Sequence, residues 1–186
     1  MALNKPVLTG PGAGRTVTNA SGSSTELKLD GGQAGGDWAV VEWHLRAGDE
    51  PPIHTHTRED ETVYVLDGSI TAFVGDQRID VEPGSYAALP KDVPHGLTVR
   101  GDEARLLVTL EPAGAEYFFV PRDEGDTDPE RFGIVLHEPA GKLTSNSTGG
   151  ATMETDTGKL ELVDPRNLVY DTPPWRRLTI HPTTPR

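Results

Sequence analysis

The spacing of turn signals constrains this chain more than any other feature. Between Thr25 and Glu111, short β-prone runs are cut by Asp67-Gly68, Gly75-Asp76, Pro83-Gly84 and Pro90 every eight to twelve residues or so, at about the interval of an antiparallel sandwich or barrel. The runs are Thr25 to Leu29, Trp38 to Arg46, Glu61 to Leu66, Ser69 to Val74, Gln77 to Val81, Tyr86 to Leu89, Leu97 to Val99 and Arg105 to Glu111. A content of 21 glycines and 16 prolines suits such a turn-rich, all-β chain. At 186 residues and without a visible internal repeat, one domain with one core is expected. The expected division is a flexible Gly/Ser/Thr-rich arm over 1–24, a barrel over 25–120 and an extension over 121–186 that opens with an acidic loop. A single barrel leaves sheet edges open, so the extension is expected to pack on the barrel or on a partner subunit, and a homodimer is expected.

Within this framework one stretch carries chemistry. His54 and His56 are two residues apart, so in an extended segment both imidazoles leave the same face, about 7 Å apart at Cα, and one ion can sit between them. Glu61 lies five residues further on and would face the other way in an unbroken strand, so residues 57–60 must turn or bulge. Val63 and Val65 form the apolar set of the next strand and share parity with Glu61, which selects Glu61 over Asp60 as the inward carboxylate. Glu59 has the same parity and is the second candidate. A later cluster, from Gly84-Ser85-Tyr86 through Pro90 to Pro94-His95, reads as a turn, a short strand, a second turn and a third imidazole, His95.

These residues resemble the two motifs of the cupin family. Gly48, His54, His56, Glu61 and Gly68 match every fixed position of the first motif, and Gly84, Pro90 and His95 match the second, which has Asp92 where glycine is usual and Val99 where asparagine is usual. Residues 51–95, with Arg105-Leu106-Leu107-Val108 leading to Pro112-Ala113-Gly114, are similar to the bacterial single-domain cupins called quercetinase-like. The resemblance covers roughly residues 36–120 and implies a jelly-roll β-barrel with its metal ligands inside. The ligand set would be His54, His56, Glu61 and His95, and the activity that of a dioxygenase.

Composition narrows the rest. A net charge of −12 and a pI near 4.8 disfavour nucleic acid and anionic membrane surfaces as partners. The absence of cysteine removes thiolate ligands, so a metal here is bound by nitrogen and oxygen. No segment approaches the apolar length of a membrane span, and the start, Met1 to Pro6, lacks the apolar core of a secretory signal; the cytoplasm is the expected compartment. Three imidazoles and a carboxylate suit one divalent transition ion, Fe, Mn, Co, Ni, Cu or Zn, with positions left open for a small-molecule substrate. The leading expectation is an enzyme acting on an enol or phenol oxygen, with Glu61 either remaining a ligand or acting as the catalytic base. A non-redox cyclase, isomerase or dehydratase and a non-catalytic binding module are the alternatives. Trp43 and Tyr86 are the candidate pocket walls, while His44, His137 and His181 are read as structural or exposed.

Overall fold

The computed structural model describes residues 3, 5–122 and 128–137, and the backbone of strands 142–145, 151–155 and 158–162. The chain divides into two units, Met1–Leu136 and His137–Arg186. The first contains a nine-stranded antiparallel sheet. Its strands are β1 (Thr16–Thr18), β2 (Ser24–Leu29), β3 (Ala39–Arg46), β4 (His54–His56), β5 (Asp60–Val74), β6 (Gln77–Val81), β7 (Tyr86–Leu89), β8 (His95–Glu111) and β9 (Ile134–Leu136). A short helix, α1 (Glu116–Phe119), and a 3-10 turn at Pro129–Phe132 lie between β8 and β9.

Two long strands give the sheet its form. β5 and β8 pair from Asp60↔Glu111 to Val74↔His95, with register shifts between Val65, Asp67 and Ser69. At these shifts the pair changes neighbours. Residues 60–67 and 103–111 lie in a face bounded by β7 on one side and by β3, β2 and β1 on the other. Residues 69–74 and 95–100 lie in a second face, with β6 on one side and β4 and β9 on the other. Both faces close on one interior, because Val41, Trp43 and Leu106 of the first share a buried cluster with Ile70, Ala72 and Leu97 of the second.

Period-two patterning explains which side chains enter that interior. On β3, Ala39, Val41, Trp43 and Leu45 are buried, while Val40, Glu42 and His44 alternate with them on the outside. On β5, Glu61, Val63 and Val65 are buried and Tyr64 is partly exposed. Each fully buried large aliphatic or aromatic side chain contributes roughly 1.5–3 kcal/mol. A one-residue slip would therefore be strongly penalised.

One turn expected from the sequence is a bend, and two pairs of runs are continuous strands. Asp67-Gly68 does not reverse the chain, and Glu61–Leu66 and Ser69–Val74 are parts of the single strand β5. Leu97–Val99 and Arg105–Glu111 are likewise parts of β8. The reason is local: Gly68, at φ 70°, sits within the register shifts and redirects the strand. Gly75-Asp76, by contrast, is a two-residue hairpin turn between the paired residues Val74 and Gln77.

The segment expected as a loose arm is hydrogen-bonded along β2: Gly14 N–H donates to Glu26 Oε1 at 2.8 Å and Leu27 N–H to the Arg15 carbonyl at 2.8 Å. Of the extension, residues 134–136 form β9 and pair with β4. The second unit contains an antiparallel meander of β10 (Lys142–Ser145), β11 (Ala151–Thr155) and β12 (Gly158–Leu162), in which Leu143, Met153 and Leu160 are register partners. Residues 123–127 of the acidic loop, and His181, lie outside the described residues. Among the described residues, no helix is long and apolar enough to cross a membrane.

The bend yields a test. A Cβ on Gly68 would lie 2.4 Å from the Glu103 carbonyl oxygen and 2.9 Å from Ala104 Cα, whereas one on Gly101, also at positive φ, meets nothing within 4 Å. Gly68→Ala is expected to lower unfolding free energy by more than the roughly 1–3 kcal/mol of backbone strain alone. Gly101→Ala is expected to cost less, and urea denaturation of the two variants measures the difference.

Candidate metal centre

Strand β4 is only three residues long, yet it is held on both sides. His54 pairs with His95 of β8, and His54, Thr55 and His56 pair with Leu136, Val135 and Ile134 of β9. Gly96 permits this approach, since a Cβ there would lie 2.6 Å from Ile53 Cδ1. After His56 the chain bends and enters the other face as β5, where Glu61 pairs with Leu89 and Leu110. Three imidazoles thus come from one face of the barrel and a carboxylate from the other. They meet in the interior.

The four side chains are buried and converge. Glu61 Oε2 lies 3.2 Å from His56 Nε2, 3.7 Å from His95 Nε2 and 3.9 Å from His54 Nε2. One donor atom from each residue falls within 4.8 Å of all the others. These same four atoms, the three Nε2 and Glu61 Oε2, are buried without a hydrogen-bond partner. Buried polar atoms are nearly always paired, so four orphans facing one point are the arrangement a cation satisfies. Donor bonds of about 2.1 Å at right or tetrahedral angles place neighbouring donors roughly 3.0–3.4 Å apart; the His56–Glu61 separation of 3.2 Å falls in that range, while those to His95 and His54, at 3.7 and 3.9 Å, are wider.

The outer edges of the imidazoles fix their orientation. His54 Nδ1 donates to the Pro52 carbonyl and His95 Nδ1 to the Val93 carbonyl, each at 2.8 Å. A carbonyl only accepts, so the proton is on Nδ1 and the Nε2 lone pair points inward. Both bonds reach the residue two positions earlier, a relation repeated in the two motifs. His56 Nδ1 faces a carboxylate instead, Glu59 Oε2 at 3.3 Å.

The turn before His95 tolerates its unusual residue. Asp92 adopts φ 62°, the left-handed conformation that glycine provides most readily, and its N–H donates to the His56 carbonyl at 2.9 Å. Lys91 N–H donates to Asp60 Oδ1 at 2.8 Å. The second motif is thereby tied to both flanks of the first.

Without an ion the centre is strongly polarised. Burial pushes the Glu61 carboxyl up, but wherever the three imidazoles present an Nε2 proton to it they outweigh burial and hold the group well below the usual carboxylate range. Burial pushes His56 down, while Glu59 and Glu61 pull it up to about 9. An ion entering at neutral pH would therefore displace a proton from His56.

His54, His56, Glu61 and His95 are brought together, whereas the two aromatic candidates are not part of the cluster. Tyr86 is 65% exposed, and as the register partner of Tyr64 it lies on the outer side of its face, opposite in parity to Glu61. It is not an interior wall. Trp43 does face inward but stands in the row of Val65 and Leu106, four residues along the strands from the row of Glu61 and Leu110, or about 13 Å away. There it packs edge-on against Phe119 in the core. His44 pairs with Glu103 on the outer surface at 3.1 Å. Glu59, the rival ligand by parity, lies on the far side of His56; no pattern in the sequence distinguished that place from the cluster itself.

Comparisons with known proteins agree with the barrel. Residues 41–110, which include all four converging residues, match the family model described as "Cupin domain". Quercetin 2,3-dioxygenase from Bacillus subtilis is 29% identical over 84 residues, 45% of this chain and 25% of that protein. The chain therefore matches about a quarter of the length of that curated relative. KdgF from a Halomonas species superposes with a TM-score of 0.52 at 16% identity, covering 58% of this chain and 94% of that one. An RmlC-like cupin from Shewanella frigidimarina gives a TM-score of 0.52 at 18% identity, covering 61% and 96%. At these identities the two structures bear on the fold alone.

Metal uptake is directly measurable. Titration with Zn(II) or Co(II) in competition with a chelator is expected to show one ion per chain. His95→Ala should weaken binding by more than the roughly 10–100-fold typical of a substitution outside the ligand shell.

Proposed function

We propose that this chain, residues 41–110 of which match the cupin domain model, is a metal-dependent enzyme of small-molecule metabolism, a quercetinase-like dioxygenase acting on an enol- or phenol-type substrate. The observation that carries the metal dependence is the set of four orphaned donor atoms converging inside the barrel. His54, His56, Glu61 and His95 would hold the ion. When bound, it would supply an electrophile that acidifies a hydroxyl group and, if redox-active, a path for electrons to dioxygen. Support for the dioxygenase reading comes from the likeness to Bacillus subtilis quercetin 2,3-dioxygenase, 29% identical over 84 residues.

What the protein itself contributes is orientation and exclusion of water. The Pro52 and Val93 carbonyls hold two rings with their lone pairs inward, so little reorganisation accompanies substrate arrival. Four donors from the protein leave room in a six-coordinate shell for a substrate oxygen. Glu61 is better suited to holding the ion than to taking protons, because its depressed pKa makes it a weak base where it stands.

Oxygen consumption tests the reading. Protein loaded separately with Fe(II), Mn(II), Co(II), Ni(II) and Cu(II) is expected to consume dioxygen stoichiometrically with a flavonol or related enol, and His54→Ala to abolish it. Turnover at an undiminished rate under strict anaerobiosis would remove the dioxygenase assignment and leave Lewis-acid chemistry.

A further inference from the structure

We infer that Glu59 serves the centre from outside the ligand set, orienting His56 and, together with Glu61, bringing the charge of a bound divalent ion to zero. The inference rests on the metal reading above and adds to it a residue and a charge balance. Glu59 is only 1% exposed, and its Oε2 lies 3.3 Å from His56 Nδ1, across the ring from the converging Nε2 atoms. The three imidazoles are therefore not equivalent. His54 and His95 lean on neutral carbonyls and His56 on a carboxylate, which makes His56 the most basic donor of the three.

The seat of Glu59 is built by segments beyond the family match. Gly114, at φ 154°, lies against it so closely that a Cβ there would stand 3.3 Å from Glu59 Oε1. Gly114 is itself fixed, its N–H donating to Glu116 Oε2 at 2.5 Å, while Glu116 Oε1 accepts from Gly31 N–H at 3.0 Å. On the other side, the Gly133 carbonyl accepts from both Thr57 N–H and Thr57 Oγ1 at 2.8 Å, and Arg58 donates to the Arg131 carbonyl at 3.0 Å. The residues leading into Glu59 are thus clamped from two directions.

Charge gives the second line of argument. Among the described residues, the buried charged groups are Glu59, Glu61, Glu116 and the three histidines, with no buried lysine or arginine. Glu116 is engaged by backbone N–H groups. A divalent ion held by Glu61 alone would leave one net positive charge in a dry interior, an expensive arrangement, and Glu59 removes it.

Two substitutions in the full-length chain test this. Glu59→Gln keeps the shape and an acceptor for His56 Nδ1–H but loses the charge; Glu59→Leu loses both. Zn(II) affinity by chelator competition is expected to fall about 10-fold in Glu59→Gln and up to about 100-fold in Glu59→Leu, with a changed Co(II) absorption spectrum in the latter. In the metal-free protein, the downfield Nδ1–H proton signal of His56 should persist in Glu59→Gln and disappear in Glu59→Leu. Wild-type affinity in Glu59→Gln would overturn the charge role, and an unchanged His56 signal in Glu59→Leu the orienting role. If Glu59→Leu does not fold, Glu59→Gln still decides the charge role, and its loss of the His56 signal would count against the orienting role. Failure of the wild type itself to take up Zn(II) would bring down the metal reading, whereas normal uptake by wild type and both variants would bring down the role of Glu59 alone.

Discussion

Four polar atoms deprived of water and pointed at one another dominate the energetics of this barrel. Each buried polar group without a partner costs about 1–3 kcal/mol, and three Nε2 atoms and Glu61 Oε2 are in that condition. The sum is comparable with a large part of the 5–15 kcal/mol by which domains are typically stable. Such a cost persists only where the surrounding structure holds the groups in place and a ligand offsets it. Here the interior does the first through the two carbonyls, the paired β4 and the clamp on residues 57–58. A cation would do the second, and the centre would then belong as much to the stability of the fold as to its chemistry.

The bend in the long strands is what makes the convergence geometrically available. Glu61 and His95 stand at opposite ends of the β5–β8 pairing, with Glu61 opposite Leu110 and His95 opposite Val74. In a flat sheet they would be far apart. The register shifts around Asp67 divide the pair between two faces, so side chains from distant rows meet across the interior. Gly68 is therefore coupled to the candidate metal site without being near it in sequence pairing. The same logic explains why β9 matters: it closes the free edge of β4, the strand that bears two of the four donors.

Much of this could be read from the residues, and the parts that could not share a cause. Parity along β5 selected Glu61, and the His-x-His spacing selected His54 and His56, because alternation is a local property that a strand preserves. The hairpin at Gly75-Asp76 was legible for the same reason. Asp67-Gly68 misled, since a glycine with positive φ reverses a chain in a hairpin but bends it in a bulge, and the choice depends on what lies opposite, here Glu103 and Ala104. Tyr86 misled because an aromatic near a motif says nothing of which face its partner Tyr64 occupies. Glu59 was weighed only as a ligand. Its actual place depends on Gly114 and on the bend at residues 57–59, neither of which has a sequence period.

The division of labour between the two carboxylates bears on where a substrate proton goes. Glu61 faces the rings that depress its pKa, and a coordinated cation would depress it further, so it accepts a proton poorly while it remains in place. Glu59 is screened from the converging atoms by the His56 ring. Among the described residues, Glu116 is the remaining buried carboxylate, and its oxygens are occupied by Gly31 and Gly114 N–H groups. Among the described residues, the interior thus offers no strong base beside the cluster. In the proposed reaction, acidification of a substrate hydroxyl would then have to carry the activation, with its proton lost to solvent. A centre already neutral with its ion and two carboxylates would bind that substrate as an anion at the cost of a single buried negative charge. That balance would favour substrates whose anion is delocalised, as in enols and phenols, over simple alcohols, whose localised charge gains most from water.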